Sequence, residues 1–411
     1  MKKLLIFSIL ILLAASSSAQ RFEDYFEDRT LRLDYTFSGD VHQQQLYVDE
    51  LVSIPRWHGK LSHLSEVPLK GNGQIIVRSK ADGTVIFRHS FSTLFQEWLS
   101  TDEAKHVRKS FENVFLIPFP KQPVEITVEI YDYHAQVNAA LTHTVDPSDI
   151  LIREAGASHI TPYTTLQQAA DTSRCIRIAY VAEGYRPEEM DTFLKDCRIA
   201  MDALFQHEPF RQKQASFNIV AVQAPSLESG TSWPAKGIWK NTVLGSHFDT
   251  FYSDRYLTTL HLKRLHDVLA GIPYEHIIIL VNTDHYGGGG IYNSYNLSYA
   301  HGEWFRPVVV HEFGHSFGGL GDEYTYGNDD PMYFPDTEPW EPNLTTKHDF
   351  NEKWADLMKE GQAGLFEGGG YMAKGIWRAY ENCRMRTNTE PEFCPVCQRA
   401  LLRLIDFYTS D

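Results

Sequence analysis

The chain has 411 residues, with 38 lysines and arginines against 53 aspartates and glutamates, for a formal net charge of −15. An acidic balance without a basic run disfavours nucleic acid and anionic membrane surfaces as partners. Aromatic residues make up 13%, well above what disordered chains carry, so two or three folded domains are expected on this length.

Residues 1–19 read as a secretion signal. Lys2 and Lys3 form a basic end, Leu4 to Ala15 an apolar run, and Ser17-Ser18-Ala19 a small-residue cleavage site. The apolar run is short for a membrane span and no second run exists, so the expected location is secreted or periplasmic, with no membrane span.

Residues 20–150 read as a β-sandwich accessory domain. Gln74–Arg78 and Thr84–Arg88 flank Asp82-Gly83, a hairpin signal. Val124–Ile130 and Leu31–Phe37 alternate apolar and polar residues. One helical interruption is expected around Thr93–Leu99. No cluster of ligand-type residues stands out here, and the partner of this domain is left open.

A polar connection over Ser148–Ser173 separates it from residues 151–411, where strand and helix patterns alternate. Cys175–Ala182, Phe217–Val222 and Ile277–Asn282 read as buried strands, and Pro187–Gln206 and Leu260–Ala270 as helices. The fold class is therefore α+β: an N-terminal β-sandwich, then a zincin-type αβ catalytic domain on a mixed, mostly parallel sheet. Gly287 to Gly290 follow the third strand. Four glycines suit either close backbone approach at a sheet edge or a flexible loop. Neighbouring Asp284 and His285 are candidates for a structural calcium and for an extra polar contact near a metal.

The chemistry concentrates in His311-Glu312-Phe313-Gly314-His315, an H-E-x-x-H pattern. Residues four apart share one helix face, so His311 and His315 can both bind one zinc ion, with Glu312 close enough to act as general base towards water. Gly318 and Gly319 should end this helix, and Asp322 and Glu323 follow at once. Two ligands on a helix, a glycine break and a third ligand beyond it is the metzincin layout. In that layout the third ligand falls at Gly321, which has no side chain. Asp322 is the chosen third ligand, with Glu323 the alternative and Glu338, Glu341 and His285 behind it. Further on, Tyr371 and Tyr380 are candidates for stabilising the oxyanion formed when water attacks a peptide carbonyl.

Five cysteines are present, three of them, Cys383, Cys394 and Cys397, near the C-terminus. In an exported chain this favours a disulfide tying Cys383 to Cys394 or Cys397. A structural zinc would need a fourth ligand that the sequence does not reveal.

His311 to Tyr324, with Asn382-Cys383-Arg384-Met385-Arg386 and Phe393-Cys394-Pro395-Val396-Cys397, resembles the IgA-peptidase family of bacterial zinc metallopeptidases over roughly residues 170–411. The resemblance implies a secreted zinc endopeptidase acting on a protein or peptide outside the cytoplasm, with His311 and His315 as ligands and Glu312 as base. It also implies that Met385 forms the methionine turn beneath the metal. Two other classes compete: a metal-dependent hydrolase of a non-peptide amide or ester, and a non-catalytic binding protein with a structural metal site.

Overall fold

Alternation turns the first third of the chain into strands with one buried face each. In Val124–Tyr131, Val124, Ile126, Val128 and Ile130 are buried while Glu125 is exposed. The computed structural model describes residues 20–326 and 332–410, and the expected secretion signal lies outside them. After a single helical turn, α1 (Phe22–Tyr25), come β1 (Phe26–Gly39), β2 (Gln44–Pro55), β3 (Gly73–Ser79) and β4 (Val85–Phe91). Helix α2 (Leu94–Leu99) precedes β5 (Lys109–Pro120), β6 (Val124–Tyr131), β7 (Val137–Val145) and the short β8 (Arg153–Glu154).

These strands form two four-stranded sheets, ordered β5-β1-β2-β8 and β4-β3-β6-β7. Their apolar faces meet: Phe115 of β5 lies 4.3 Å, centroid to centroid, from Phe91 of β4. The Asp82-Gly83 turn joins β3 and β4 as an antiparallel hairpin, with Gly83 at φ +75°. Thr93 caps α2, its side chain accepting from the Gln96 N–H.

The second part is built on a six-stranded sheet. Its strands are β9 (Tyr163–Gln167), β10 (Ile176–Glu183), β11 (Phe217–Val222), β12 (His276–Val281), β13 (Gly288–Ile291) and β14 (Tyr295–Tyr299). The order is β13-β14-β12-β10-β11-β9, with parallel pairing from β11 through β10 and β12 to β14 and an antiparallel strand at each edge. Central strands buried on both faces need continuous apolar sequence, and β12 is buried at all six positions.

Two cores cover the two faces of this sheet. On one face, residues such as Val181, Ile279 and Leu297 join the core of the N-terminal sheets and α4 (Leu262–Val268). On the other, Ile178, Tyr180 and Leu280 pack with α3 (Met190–Leu204), α5 (Phe305–Ser316) and α7 (Pro395–Thr409). A small sheet, β15 (Leu344–Thr345), β17 (Met372–Arg378) and β16 (Phe366–Gly369), and helix α6 (Ala355–Lys359) lie between α5 and α7 in sequence. No described helix is long and apolar enough to cross a membrane.

Three of the four glycines lie in a strand, not a loop. Gly288–Ile291 forms the edge strand β13, against which α5 packs. A Cβ at Gly290 would sit 2.5 Å from the Glu312 carbonyl oxygen and 2.9 Å from the His315 Cβ, so only glycine lets the helix come this close. The outward side of Gly288 is already bonded, its N–H to Arg255 O and its carbonyl to the Leu257 N–H, both at 3.3 Å. The edge is thus not open there for a peptide to pair.

Gly290→Ala should force α5 away from the sheet and lower stability by about 1–3 kcal/mol. Denaturant unfolding with an unchanged midpoint would show that the approach is not tight.

Candidate metal centre

Helix α5 presents His311 and His315 one turn apart on a single face, and its termination brings the chain back to them. Gly319 takes φ +58°, a left-handed conformation natural to glycine, and its N–H bonds the His315 carbonyl at 3.0 Å. Beyond it Asn343 holds Gly321 from both sides, accepting from its N–H and donating to its carbonyl, each at 2.8 Å. A side chain at Gly321 would collide with Leu344 at 2.5 Å. The carbonyl of Asp322 accepts from the Gly370 N–H at 2.7 Å, and Tyr371 N–H bonds Tyr324 O at 3.1 Å. The Asp322–Tyr324 segment is therefore held by the Gly370–Tyr371 backbone.

Its carboxylate meets the histidines. Asp322 Oδ1 lies 3.1 Å from His311 Nε2 and 3.2 Å from His315 Nε2, and the two Nε2 atoms are 3.1 Å apart. The far ring nitrogens are held by backbone: His311 Nδ1 donates to Arg384 O at 3.0 Å and His315 Nδ1 to Leu320 O at 2.5 Å. That fixes both tautomers with Nε2 as the free donor atom. Asp322 Oδ1 is buried without a directed hydrogen bond. Donor atoms on a tetrahedral zinc ion, with bonds of about 2.0–2.2 Å, stand about 3.3–3.5 Å apart. The three atoms fit such an ion closely.

The remaining oxygen, Asp322 Oδ2, accepts from the Tyr371 hydroxyl at 2.5 Å. Tyr371 itself sits at φ +66°, a strained conformation for a side-chain-bearing residue, fixed by the glycines before it and its pairing with Tyr324 and Tyr326. Tyr371 thus reaches the cluster, but its hydroxyl is engaged with the carboxylate. Tyr380 does not reach it: its hydroxyl donates to the Gln362 carbonyl.

Glu312 follows His311 and lies against Gly288, where an added Cβ would meet its Oε1 at 2.5 Å. Burial raises its pKa, with the Asp322 charge adding and the two imidazoles opposing. Burial pulls the pKa of His315 down, yet the Asp322 and Glu312 charges outweigh it and push it up to about 9. Asp322 is held well below the carboxylate range: burial would raise it, but His315 and His311 dominate.

Glu323 points away from the triad and into a group with Cys383, Cys394 and Cys397. The disulfide expected among those cysteines is not formed. All five cysteines are free thiols, and Cys383 Sγ is 3.7 Å from Cys397 Sγ, far beyond a bond of about 2.05 Å. The sulfurs converge with a carboxylate instead of pairing. His285 packs tilted against Trp233 at 3.8 Å between ring centroids, with Phe248 edge-on at 4.6 Å, and Asp284 belongs to neither metal-type cluster of the described residues. Glu338 bonds Thr346, and Glu341 accepts from Tyr333, so neither approaches the histidines as a ligand. Met385 is fully buried beneath α5, where a Cβ on Gly314 would meet its sulfur at 2.7 Å.

Two family profiles match the chain. The profile described as IgA Peptidase M64 matches residues 164–363 and 359–405, and the one described as Peptidase M64 N-terminus matches residues 21–142. The chain belongs to the IgA peptidase M64 family. Membership makes it a peptidase of a metal-dependent kind. No curated protein matches the chain.

One participant of this M64 site was not visible in the sequence. Glu97, on α2 of the N-terminal part, accepts from the Tyr256 hydroxyl. Burial drives its pKa up to about 7; the Tyr256 hydrogen bond and His315 oppose this, while the Asp322 and Glu312 charges add to it. A separation of 159 residues from Tyr256, and more from the histidines, hides such a residue from motif reading. Asn343 was hidden too, in a proline-rich stretch with no periodicity.

With its folded pKa near 7 against an ordinary 4.5, Glu97 binds more protons in the folded than in the unfolded chain between those values. Its contribution therefore falls as pH rises through that window. Glu97→Gln should leave stability near the wild-type value at about pH 4 and raise it by roughly 1–3 kcal/mol at about pH 8. Parallel stability–pH curves for the two proteins would rule this out.

Proposed function

We propose that the chain is an exported, zinc-dependent endopeptidase in which His311, His315 and Asp322 hold the metal and Glu312 is the general base. The observation that carries this reading is the meeting of two imidazole nitrogens and one carboxylate oxygen within 3.2 Å, beside the Glu312 carboxylate. In this reading residues 1–19 are a secretion signal, residues 20–150 a β-sandwich and residues 151–411 a zincin-type catalytic domain. The substrate is a protein or peptide outside the cytoplasm, a reading supported by the family and by the N-terminal sequence pattern.

A zinc ion in the triad supplies Lewis acidity towards a peptide carbonyl and the attacking water. The residues do the rest. Glu312 accepts the proton of the water at its carboxylate and delivers it to the departing amine, a transfer favoured by the rise in its pKa that burial causes. Arg384 O and Leu320 O keep the imidazoles oriented with Nε2 inward. By donating to Asp322 Oδ2, the Tyr371 hydroxyl selects which carboxylate oxygen faces the histidines. That gives Tyr371 a positioning role in place of the oxyanion role expected from sequence.

Glu312→Gln should keep zinc and lose nearly all peptide hydrolysis, because an amide cannot take the proton; equal turnover at matched zinc occupancy would remove Glu312 from the reaction. Asp322→Ala should weaken zinc binding by at least about tenfold. For Tyr371→Phe the expected outcome is a loss of roughly tenfold in zinc affinity, with kcat at saturating zinc largely retained. A fall in kcat at full occupancy would instead place its hydroxyl on the substrate.

A further inference from the structure

Beneath the triad lies a second group of metal-type side chains. The sulfurs of Cys383, Cys394 and Cys397 and a carboxylate oxygen of Glu323 all lie within 4.8 Å of one another. They are enclosed: Glu323, Cys383 and Cys397 are 0% exposed and Cys394 is 5% exposed. Cys383 Sγ is 3.7 Å from Cys397 Sγ, and Cys397 Sγ is 3.5 Å from Glu323 Oε1. Around a tetrahedral zinc ion, bonds of about 2.3 Å to sulfur and about 2.1 Å to oxygen put sulfurs about 3.8 Å apart and sulfur and oxygen about 3.6 Å apart.

A second observation points the same way. Glu323 Oε2 is buried with no hydrogen-bond partner, and its other oxygen accepts from Cys397 and the neutral Asn343 amide. A wholly buried carboxylate without a bonded cation costs several kcal/mol. Arg378 does not relieve it directly, because its NH1 and NH2 groups donate to the carbonyls of Glu367, Gly368 and Glu381. A disulfide would not relieve it either, and would leave the third thiol over. The local backbone suits thiolates: the Cys394 N–H faces Cys383 Sγ at 3.2 Å, and Cys394 caps the fifteen-residue helix α7, whose first turn carries Cys397.

We propose that Glu323, Cys383, Cys394 and Cys397 form a second, structural site for a thiophilic divalent cation of the zinc class. All four positions are filled by protein, which is the arrangement of a structural site and not of a catalytic one. Binding releases the thiol protons to solvent and changes no oxidation state. The ion joins two segments that serve the triad. Glu323 is next to Asp322, and Cys383 precedes Arg384, whose carbonyl orients His311 at 3.0 Å. The Glu323 N–H also bonds the Met385 carbonyl at 2.9 Å. The site is independent of the peptidase reading, and its test is separable from that of the triad.

The experiment uses the full chain, in wild type and in a His311→Ala/His315→Ala variant whose folding is checked by circular dichroism. Zinc per chain is measured by elemental analysis, and thiols are titrated after denaturation with chelator. Two zinc ions are expected in the wild type and one in the double variant, with every cysteine titrating as a thiol. Loaded with cobalt(II) alone, the double variant should show the strong near-ultraviolet thiolate-to-cobalt absorption, and adding Cys394→Ser should weaken it. One zinc in the wild type and none in the double variant overturns the proposal. So does a cobalt form without thiolate absorption, or two cysteines missing from the titration because they are joined as a disulfide.

Discussion

Three ligand-type atoms held within 3.2 Å of each other form the contact on which the rest of this structure depends. Two imidazole nitrogens and a carboxylate oxygen do not stay so close by attraction of their own. The helix end does the holding: Gly319 turns the chain, Asn343 clamps Gly321, and the Gly370–Tyr371 backbone fixes Asp322 and Tyr324. On the other side, β13 approaches α5 so closely that a Cβ at Gly290 would meet helix backbone and one at Gly288 the Glu312 carboxylate. The fold around the site is a set of restraints on one short segment.

The N-terminal part belongs to that set. Its core is continuous with one face of the central sheet. Just after β4, Ser92 N–H bonds the Tyr292 carbonyl at 3.0 Å, and the Asn293 amide donates to Ser90 O at 2.9 Å. These contacts fix the turn between β13 and β14, the strands on which α5 rests. Glu97 carries the same part of the chain into the electrostatics of the site, since its charge is felt by Tyr371 and Tyr256. An N-terminal part that shares a core with the sheet under α5 supports that helix mechanically.

What the sequence made legible was local. The spacing of His311 and His315, the glycine break, the alternation of β6 and the Asp82-Gly83 hairpin each follow from a few neighbouring residues, and each takes the expected form. The offset of one residue to Asp322 was readable because Gly321 has nothing to offer a metal; the reason for that glycine, the contact with Leu344, was not. Long-range partners stayed hidden. Cys383, Cys394 and Cys397 suggested a disulfide because cysteine spacing alone does not show that Glu323, sixty residues away, completes the group. Tyr371 and Tyr380 looked alike in sequence, but a positive φ and pairing with the Asp322 segment bring in only Tyr371. The glycine run was ambiguous for the same reason: nothing local tells a loop from a strand pressed against a helix.

In the proposed reading His311, His315 and Asp322 hold one metal ion together. Anomalous diffraction from crystals of the zinc-loaded full chain, recorded on both sides of the zinc absorption edge, tests it most directly. A peak within about 2.0–2.2 Å of His311 Nε2, His315 Nε2 and Asp322 Oδ1 is expected. A peak bound by the two histidines with Asp322 turned away, or no peak at the histidines in zinc-loaded crystals, would contradict it.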